Sequence, residues 1–558
     1  MLHRERRRGT RTTALLVFLL SGALCSCASA PSPPNREPSG CQKSARDLAP
    51  ISFGEYVFHR RLLGNGLHAV AVPDEGKGIS VFMIIGAGKR QETPSTTGLA
   101  HLTEHAMYTG TAKTGPGDHD RRIRAMGGKS NAFTREDYTL FYDHEVPVGE
   151  LGEVLAMEAD RLRSLSLDPR AVYQERERLR EEEAGTWQPS QHLTERLEAA
   201  VFVRHPYAAG IMDDEGHTLA SVLGIWDIRE FYDRNYHPRS VAVVVAGNTE
   251  PEQALDAIQK AFGPLPAGPA PEPPVEEPAV AEPRSVSLPS SLPLDRVEWV
   301  WLVPAMGDRD RPALTVLARL LSRRTTESGA PLFVSMGHRV DKDIFRLAVV
   351  GPSAERDLEK ILRELLDGQI NASELEEVKR LEEASRERQP LRARPYFSLA
   401  ATFGVYEVLG HTEVLVQYPD AVERLTPDEV LRVARAYLDP KRRVEVRFEG
   451  TGAELEPLPE DESELHRAAD EATQAGDLDS AAAAYTKLLS LDLGKMSRVI
   501  ALASRGKVRI RQRNYGAAIR DFERALELID YPDLHDLLDE ARALEAGERS
   551  EPPLDTDG

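Results

Sequence analysis

The stretch "GLAHLTEHAMYTGT", residues 98–111, contains His101, Glu104 and His105 within five positions. Successive residues of an α-helix are rotated by about 100°, so His101 and His105 project from one helix face, one turn apart. Glu104 projects from the flank of the same face. The segment is either a metal site or an ordinary polar surface, and its surroundings have to decide between the two.

Two imidazoles and a carboxylate are the ligands of many hydrolytic zinc sites, which leave a fourth position for water. A second carboxylate, not bound to the metal, takes the proton of that water. In His-x-x-Glu-His, Glu104 stands beside the place of the water. The segment "ERERLREE" offers a third ligand, because Glu175 and Glu182 lie two helical turns apart on one face. Standing alone, such a charged run indicates a solvated helix surface.

Further motifs follow the first one along the chain. They are "NGL" (65–67), the pattern Gly-Gly-x-x-Asn-Ala-x-Thr (127–134), "HPY" (205–207), "FYDRNYHP" (231–238) and "VVVAGN" (243–248). In this order the chain resembles the insulinase/pitrilysin family of inverted-motif zinc peptidases, which includes the mitochondrial processing peptidase. The likeness covers residues 52–265 well and residues 285–450 loosely.

The resemblance implies one Zn²⁺ per chain, held by His101, His105 and Glu182, with Glu104 as the general base. In the family the third ligand lies about 75 to 77 residues after the second histidine, and 182 − 105 = 77. Glu175 matches a second acidic position on the same helix, and we assign it to the catalytic group as a supporting residue.

The resemblance also implies a substrate-binding strand. Asn131 and Ala132 match the positions where the family pairs the substrate backbone with a sheet edge. This mode of binding depends on an extended conformation more than on sequence, so it suits small peptides and unfolded protein segments.

The chain departs from the family pattern in two places. Glu182 belongs to "EEE", so Glu181 and Glu183 are alternatives for the third ligand. Many relatives also carry a substrate-holding Arg and Tyr in the second half, whereas "LLSRRTTESGAPLFVSMG" (320–337) has no tyrosine. Either this duty is lost, or a homologous partner subunit supplies it.

The predicted fold class is α+β. Two peptidase-family-like α/β halves, each an antiparallel-rich sheet flanked by helices, are joined by a Pro-rich linker and followed by an all-α domain. The apolar runs "SVFMIIGAG" (80–88) and "SVAVVVAGN" (240–248) predict buried strands. The predicted segments are a signal peptide (1–27), a flexible tether (28–50), a catalytic zinc peptidase domain (51–263), the linker (264–284), a degenerate second domain (285–450), a helical-repeat domain (460–547) and a disordered tail (548–558).

The helical-repeat domain contains two similar segments, "GDLDSAAAAYTKLL" and "RNYGAAIRDFERAL", at an offset of 37 residues. Their small-then-aromatic spacing resembles the tetratricopeptide repeat, although the usual period is about 34. Gly506 adds a further position typical of that repeat. A generic helical hairpin is the alternative. As a repeat, the domain would offer a docking surface for another protein.

The first residues have the pattern of an export signal. A basic start precedes an apolar run over residues 14–24, which is too short to span a bilayer stably. Leu24-Cys25-Ser26-Cys27 resembles a bacterial lipobox, so Cys27 is the predicted lipidation site. The predicted location is the bacterial cell envelope, lipid-anchored in the outer membrane and facing the periplasm. The alternative is a secreted protein cleaved after "CASA".

Composition narrows the choice of function. The chain has 558 residues, 41% of them hydrophobic and 29% charged, and a net charge of −20. Such an acidic chain repels phosphate backbones, which argues against a nucleic-acid partner. Three cysteines, all within the first 41 residues, exclude a disulfide framework inside the domains.

Three functions are consistent with these patterns. The first is a zinc-dependent endopeptidase that is exported and lipid-anchored. The second is a catalytically weak or partner-dependent subunit, or scaffold, of a heteromeric peptidase. The third is a lipoprotein adaptor whose repeat domain defines its task. A deletion after Gly450 would distinguish the adaptor from a peptidase. The adaptor would lose its function, whereas a peptidase would still cleave small peptides.

Overall fold

The structure is a computed structural model of the full chain. It describes residues 44–76, 78–186, 189–208, 218–270, 272–290, 295–324, 326–368, 370–387, 391, 398–450, 462–474, 477–491, 493–512, 514–529 and 532–545. The predicted signal peptide, the lipidation site Cys27 and the predicted C-terminal tail lie outside these residues. Among the residues described, no helix is long and apolar enough to cross a membrane.

The first half is built on a seven-stranded sheet. Its strands are β1 (Arg46–Phe53), β2 (Tyr56–Leu62), β3 (His68–Pro73), β4 (Ile79–Ile85), β5 (Lys129–Thr134), β6 (Thr139–Val146) and β7 (Val241–Gly247). Their order is β1-β2-β3-β7-β4-β6-β5, and every neighbouring pair except β3–β7 is antiparallel. All residues of β4 and β7 are buried, as the apolar runs predict.

Strand β1 begins at Arg46, inside the segment predicted as a flexible tether, so that prediction is wrong for residues 46–50. The strand pairs with β2 at the edge of the sheet, and only one of its eight residues is buried. A strand held by backbone hydrogen bonds with so little burial leaves no hydrophobic pattern in the sequence.

The described residues of this part of the chain form seven α-helices. They are α1 (Leu99–Ala106), α2 (Asp118–Ala125), α3 (Leu151–Arg163), α4 (Pro169–Thr186), α5 (Pro189–Val201), α6 (Ile225–Asn235) and α7 (Pro251–Phe262). Buried side chains of α1, α3, α6 and α7 form one core with β3, β4 and β7. This core fixes α1 against one face of the sheet.

The second half repeats the plan with five strands. They are β8 (Arg284–Pro289), β9 (Arg296–Val303), β10 (Leu332–Met336), β11 (Asp343–Val350) and β12 (Val444–Glu449), in the order β10-β11-β9-β12-β8. Only β12–β8 is a parallel pair. The helices are α8 (Arg311–Ser322), α9 (Ala354–Leu366), α10 (Ala372–Glu387), α11 (Leu399–Val408), α12 (Thr412–Glu423) and α13 (Pro427–Tyr437). The predicted fold class is therefore confirmed for the two halves.

The two halves exchange one helix each. Helix α11, from the second half of the chain, packs on the face of the first sheet opposite α1, where Phe403 stacks on Phe58 with ring centroids 3.9 Å apart. In return, α5 covers a face of the second sheet, with Leu197 in one core with Phe448. Each sheet is thus buried on both faces only when the other half is present.

We expect Phe403→Ala to lower the free energy of unfolding by about 3–5 kcal/mol. Both rings of the stacked pair are fully buried, so removal of the Phe403 ring would leave a cavity between the two halves. Phe403→Leu, which keeps most of the volume, should cost far less. Urea denaturation followed by circular dichroism measures both. Equal midpoints for wild type and Phe403→Ala would contradict the exchange of helices.

The described residues of the C-terminal part form helices and no strand. It consists of α14 (Glu462–Gln474), α15 (Leu478–Ser490), α16 (Lys495–Arg511), α17 (Tyr515–Leu528) and α18 (Pro532–Glu545). Gly506 lies against the ring of Phe522, since a Cβ atom added at Gly506 would sit 2.5 Å from that ring. The small-then-aromatic spacing thus brings paired helices close, but the tetratricopeptide assignment stays a prediction. Arg319 of α8 pairs with Glu545 of α18, so these helices also contact the second half.

Candidate metal centre

The candidate ligands come from two helices. Helix α1 carries His101 and His105, whose ring centroids are 5.0 Å apart. Helix α4 carries Glu182, with its carboxylate 3.8 Å from Nε2 of His101 and 3.4 Å from Nε2 of His105. One donor atom from each of the three residues lies within 4.8 Å of the others. The structure therefore brings together the three residues that the resemblance implies as ligands.

The three neighbouring glutamates of α4, Glu181 to Glu183, point in different directions. Glu181 is exposed on α4. Glu183 is buried and accepts hydrogen bonds from the backbone N–H and the hydroxyl of Thr218, at 3.1 and 2.7 Å. Only Glu182 of the three belongs to the cluster with the two imidazoles.

The electrostatics of the cluster favour a positive charge at its centre. Burial, together with the charge of His105, lowers the pKa of His101 to about 3, so this imidazole is neutral. Burial alone would lower the pKa of His105 as well, but contacts with Glu175 and Glu182 raise it to about 10. The contact with His105 lowers the pKa of Glu182. Glu182 thus provides a negative charge beside both imidazoles, where a cation would bind.

The donor set fits zinc. Two imidazole nitrogens and one carboxylate oxygen are typical zinc ligands, and a site with three protein ligands keeps a position open. The side chain of Glu182 is 35% exposed and that of His101 is 26% exposed. The open side of the cluster is therefore accessible to water and to a substrate.

Glu175 lies on the far side of His105. Its carboxylate is 3.5 Å from Nδ1 of that imidazole and also accepts a hydrogen bond from Arg178. A carboxylate on the second ring nitrogen orients the imidazole and selects its tautomer. Glu175 thus contacts a candidate ligand, a position consistent with the supporting role that the sequence analysis gives it, and that role stays a prediction.

Glu104 is held by the neighbouring strand. Its carboxylate accepts a hydrogen bond of 2.6 Å from the hydroxyl of Thr134, the last residue of β5, and its side chain is buried. Thr134 stands in the Asn-Ala-x-Thr pattern, but that pattern alone does not show which side chain the hydroxyl contacts. Strand β5 is the end strand of its sheet and contains Asn131, which is exposed, and Ala132, which is buried.

A second cluster could not be predicted from sequence spacing. His119 of α2, Asp143 of β6 and Glu158 of α3 offer donor atoms within 4.8 Å of one another. Burial, together with the charge of Arg161, lowers the pKa of His119 to about 4. Because Arg161 also forms a two-pronged ion pair with Glu158, this cluster already contains its cation. We interpret it as a buried ion-pair network.

Comparison with known proteins agrees with the fold. Residues 70–215 match the family model described as Insulinase (Peptidase family M16), and residues 225–382 match the model described as Peptidase M16 inactive domain. The fold and the donor set together are those of a zinc-protease family. The chain belongs to the insulinase family, peptidase family M16.

Three relatives show the extent of the likeness. The chain is 26% identical to the zinc protease PqqE of Helicobacter pylori over 407 residues, 67% of this chain and 89% of that protein. It is 29% identical to the beta subunit of the mitochondrial-processing peptidase of Blastocladiella emersonii over 188 residues, 34% of this chain and 40% of that subunit. A crystal structure of a protease from Helicobacter pylori superposes with a TM-score of 0.62 at 25% identity, covering 70% of this chain and 99% of that chain.

Proposed function

We propose that the protein is a zinc-dependent endopeptidase that hydrolyses peptides or unfolded protein segments. The observation that carries the proposal is the convergence of His101, His105 and Glu182 beside the buried carboxylate of Glu104. A zinc ion held by the three ligands would lower the pKa of a bound water and polarise the scissile carbonyl. Glu104 would take the proton of the water and pass it to the leaving amine.

The edge strand β5 supports the choice of an extended substrate. It is the end strand of the sheet, so its outer side is a place where a peptide can add by backbone hydrogen bonds. The strand ends at Thr134, whose hydroxyl holds Glu104. A peptide lying along Asn131 and Ala132 would therefore extend toward the general base.

We expect a series of peptide substrates, each N-methylated at one different backbone nitrogen, to show a raised KM at every second position. Successive N–H groups of a strand point to opposite sides, so only every second one can bond to β5. Each lost bond should raise KM by roughly 3- to 10-fold. A fluorescence assay with a quenched peptide series measures the pattern, and a uniform effect at all positions would contradict edge addition.

The experiment that tests the function uses a mixed quenched-peptide library and the purified chain. We expect cleavage that a chelator abolishes and added zinc restores. If the folded, zinc-loaded chain cleaves no peptide, the endopeptidase proposal fails for the chain alone. The alternative, a partner-dependent subunit or scaffold, would then be favoured.

One observation favours that alternative. The two arginines of the second-half stretch are engaged within the second half, Arg323 with Glu377 at 2.7 Å and Arg324 with Glu364 at 3.9 Å. Both guanidinium groups therefore already have a carboxylate partner within this chain. A second subunit that supplies the substrate-holding Arg and Tyr would restore full activity, and mixing the two chains would show this as a rise in kcat/KM.

We further propose export and attachment to the bacterial outer membrane through Cys27, with the catalytic domain facing the periplasm, and docking of another protein on the helical-repeat domain. The export signal and the lipobox support attachment to the membrane, and the paired helices α14 to α18 support docking of another protein. Metabolic labelling with a palmitate analogue should mark the wild type and leave Cys27→Ala unlabelled.

A further inference from the structure

Three ligands on two separate helices can bind one ion only if the spacing between the helices is held. Helix α1 has eight residues and begins after Gly98, whose φ is 88° and which offers no side-chain cap. The first backbone N–H groups of a helix need partners from elsewhere. Glu92 lies outside the helix and is buried. Its carboxylate accepts hydrogen bonds from the backbone N–H of Gly98 at 3.1 Å and of Ala100 at 2.8 Å.

The other ligand helix is held by the residue next to its ligand. Glu183 of α4 accepts both the hydroxyl and the backbone N–H of Thr218, one with each carboxylate oxygen. Because Glu183 directly follows Glu182, any rotation or shift of the last turn of α4 moves both carboxylates together. The contact with Thr218 therefore restrains the position of Glu182.

Thr218 also touches the start of α1. A Cβ atom added at Gly98 would lie 2.1 Å from the Thr218 hydroxyl oxygen and 3.0 Å from Cβ of Ala220. Only a glycine allows this approach. A continuous series of contacts thus runs from Glu92 through Gly98 and Thr218 to Glu183, and it joins the two helices that carry the candidate ligands.

We propose that Glu92, Thr218 and Glu183 are positioning residues that set the spacing between α1 and α4 and so determine the affinity for zinc. This inference rests on the proposed zinc site. Metal–ligand distances tolerate deviations of only about 0.2 Å, so a small movement of α4 relative to α1 weakens binding. None of the three side chains belongs to the donor cluster of His101, His105 and Glu182, so their effect would pass through those ligands.

The test compares zinc dissociation constants of full-length variants by competition with a chromophoric chelator. Thr218→Val removes the hydroxyl but keeps the shape, and Glu183→Gln removes the charge. We expect each to raise the dissociation constant by about 10- to 100-fold, as loss of an outer-shell partner does. Thr218→Ser, which keeps the hydroxyl, should restore an affinity near that of the wild type.

Glu181→Gln is the matched control, because Glu181 is exposed two residues before Glu183 on the same helix. It should leave the dissociation constant unchanged. If Thr218→Val and Glu183→Gln lower the melting temperature but bind zinc as tightly as the wild type, their role is structural and the inference is overturned. If the wild type binds no zinc, the proposed function itself fails, which is a separate and distinguishable outcome.

Discussion

Glu104→Gln is expected to lower kcat by about 10²- to 10⁴-fold while one zinc ion per chain stays bound. The amide of glutamine has the shape of the carboxylate, and its oxygen can still accept the hydrogen bond from Thr134. It cannot take a proton from the attacking water. Turnover of a quenched peptide and the zinc content by mass spectrometry together measure the effect.

The control for this prediction is Glu181→Gln, which removes an exposed carboxylate near the site. It should leave both kcat and the zinc content at the wild-type level. A Glu104→Gln variant that keeps wild-type turnover would show that another group acts as the general base. A variant that loses zinc would instead place Glu104 among the ligands.

Glu182→Ala is expected to weaken zinc binding by more than the roughly 10- to 100-fold seen when an outer-shell partner is lost, because it removes one of three protein ligands. The two imidazoles, on a single helix, would remain as the only ligands. We therefore expect a chain that loses its zinc on dialysis and is inactive without excess metal. Zinc content after dialysis and activity against zinc concentration measure this.

Glu181→Ala provides the matched comparison, since the two residues are neighbours on α4 but only Glu182 lies in the cluster with the histidines. It should keep its zinc on dialysis. The reverse result, loss of zinc from Glu181→Ala and retention by Glu182→Ala, would mean that the register of α4 is one residue different from the structure.

Part of the site could be predicted from the sequence because it is local. His101, Glu104 and His105 lie within one helical turn or so of one another, and helix geometry alone places them on one side. Glu182 could be named from its helical spacing to Glu175 and from the spacing typical of the family, with Glu181 and Glu183 as open alternatives. The structure separates them because Glu183 is buried, like Leu179 one turn earlier, and bonds to Thr218, a residue 36 positions beyond Glu182 (218 − 182 = 36).

The remaining features depend on contacts between distant segments. The apolar residues of α5 and α11 do not show in the sequence which sheet each helix covers, and each covers the sheet of the other half. The cluster of His119, Asp143 and Glu158 combines residues from two helices and a strand, with no spacing that could reveal it.

The most direct test of the zinc assignment is anomalous diffraction at the zinc absorption edge from crystals of the full chain. We predict one strong peak, about 2.0–2.2 Å from Nε2 of His101, from Nε2 of His105 and from a carboxylate oxygen of Glu182. A peak at His119, Asp143 and Glu158 instead, or no peak in crystals grown with zinc, would contradict the account.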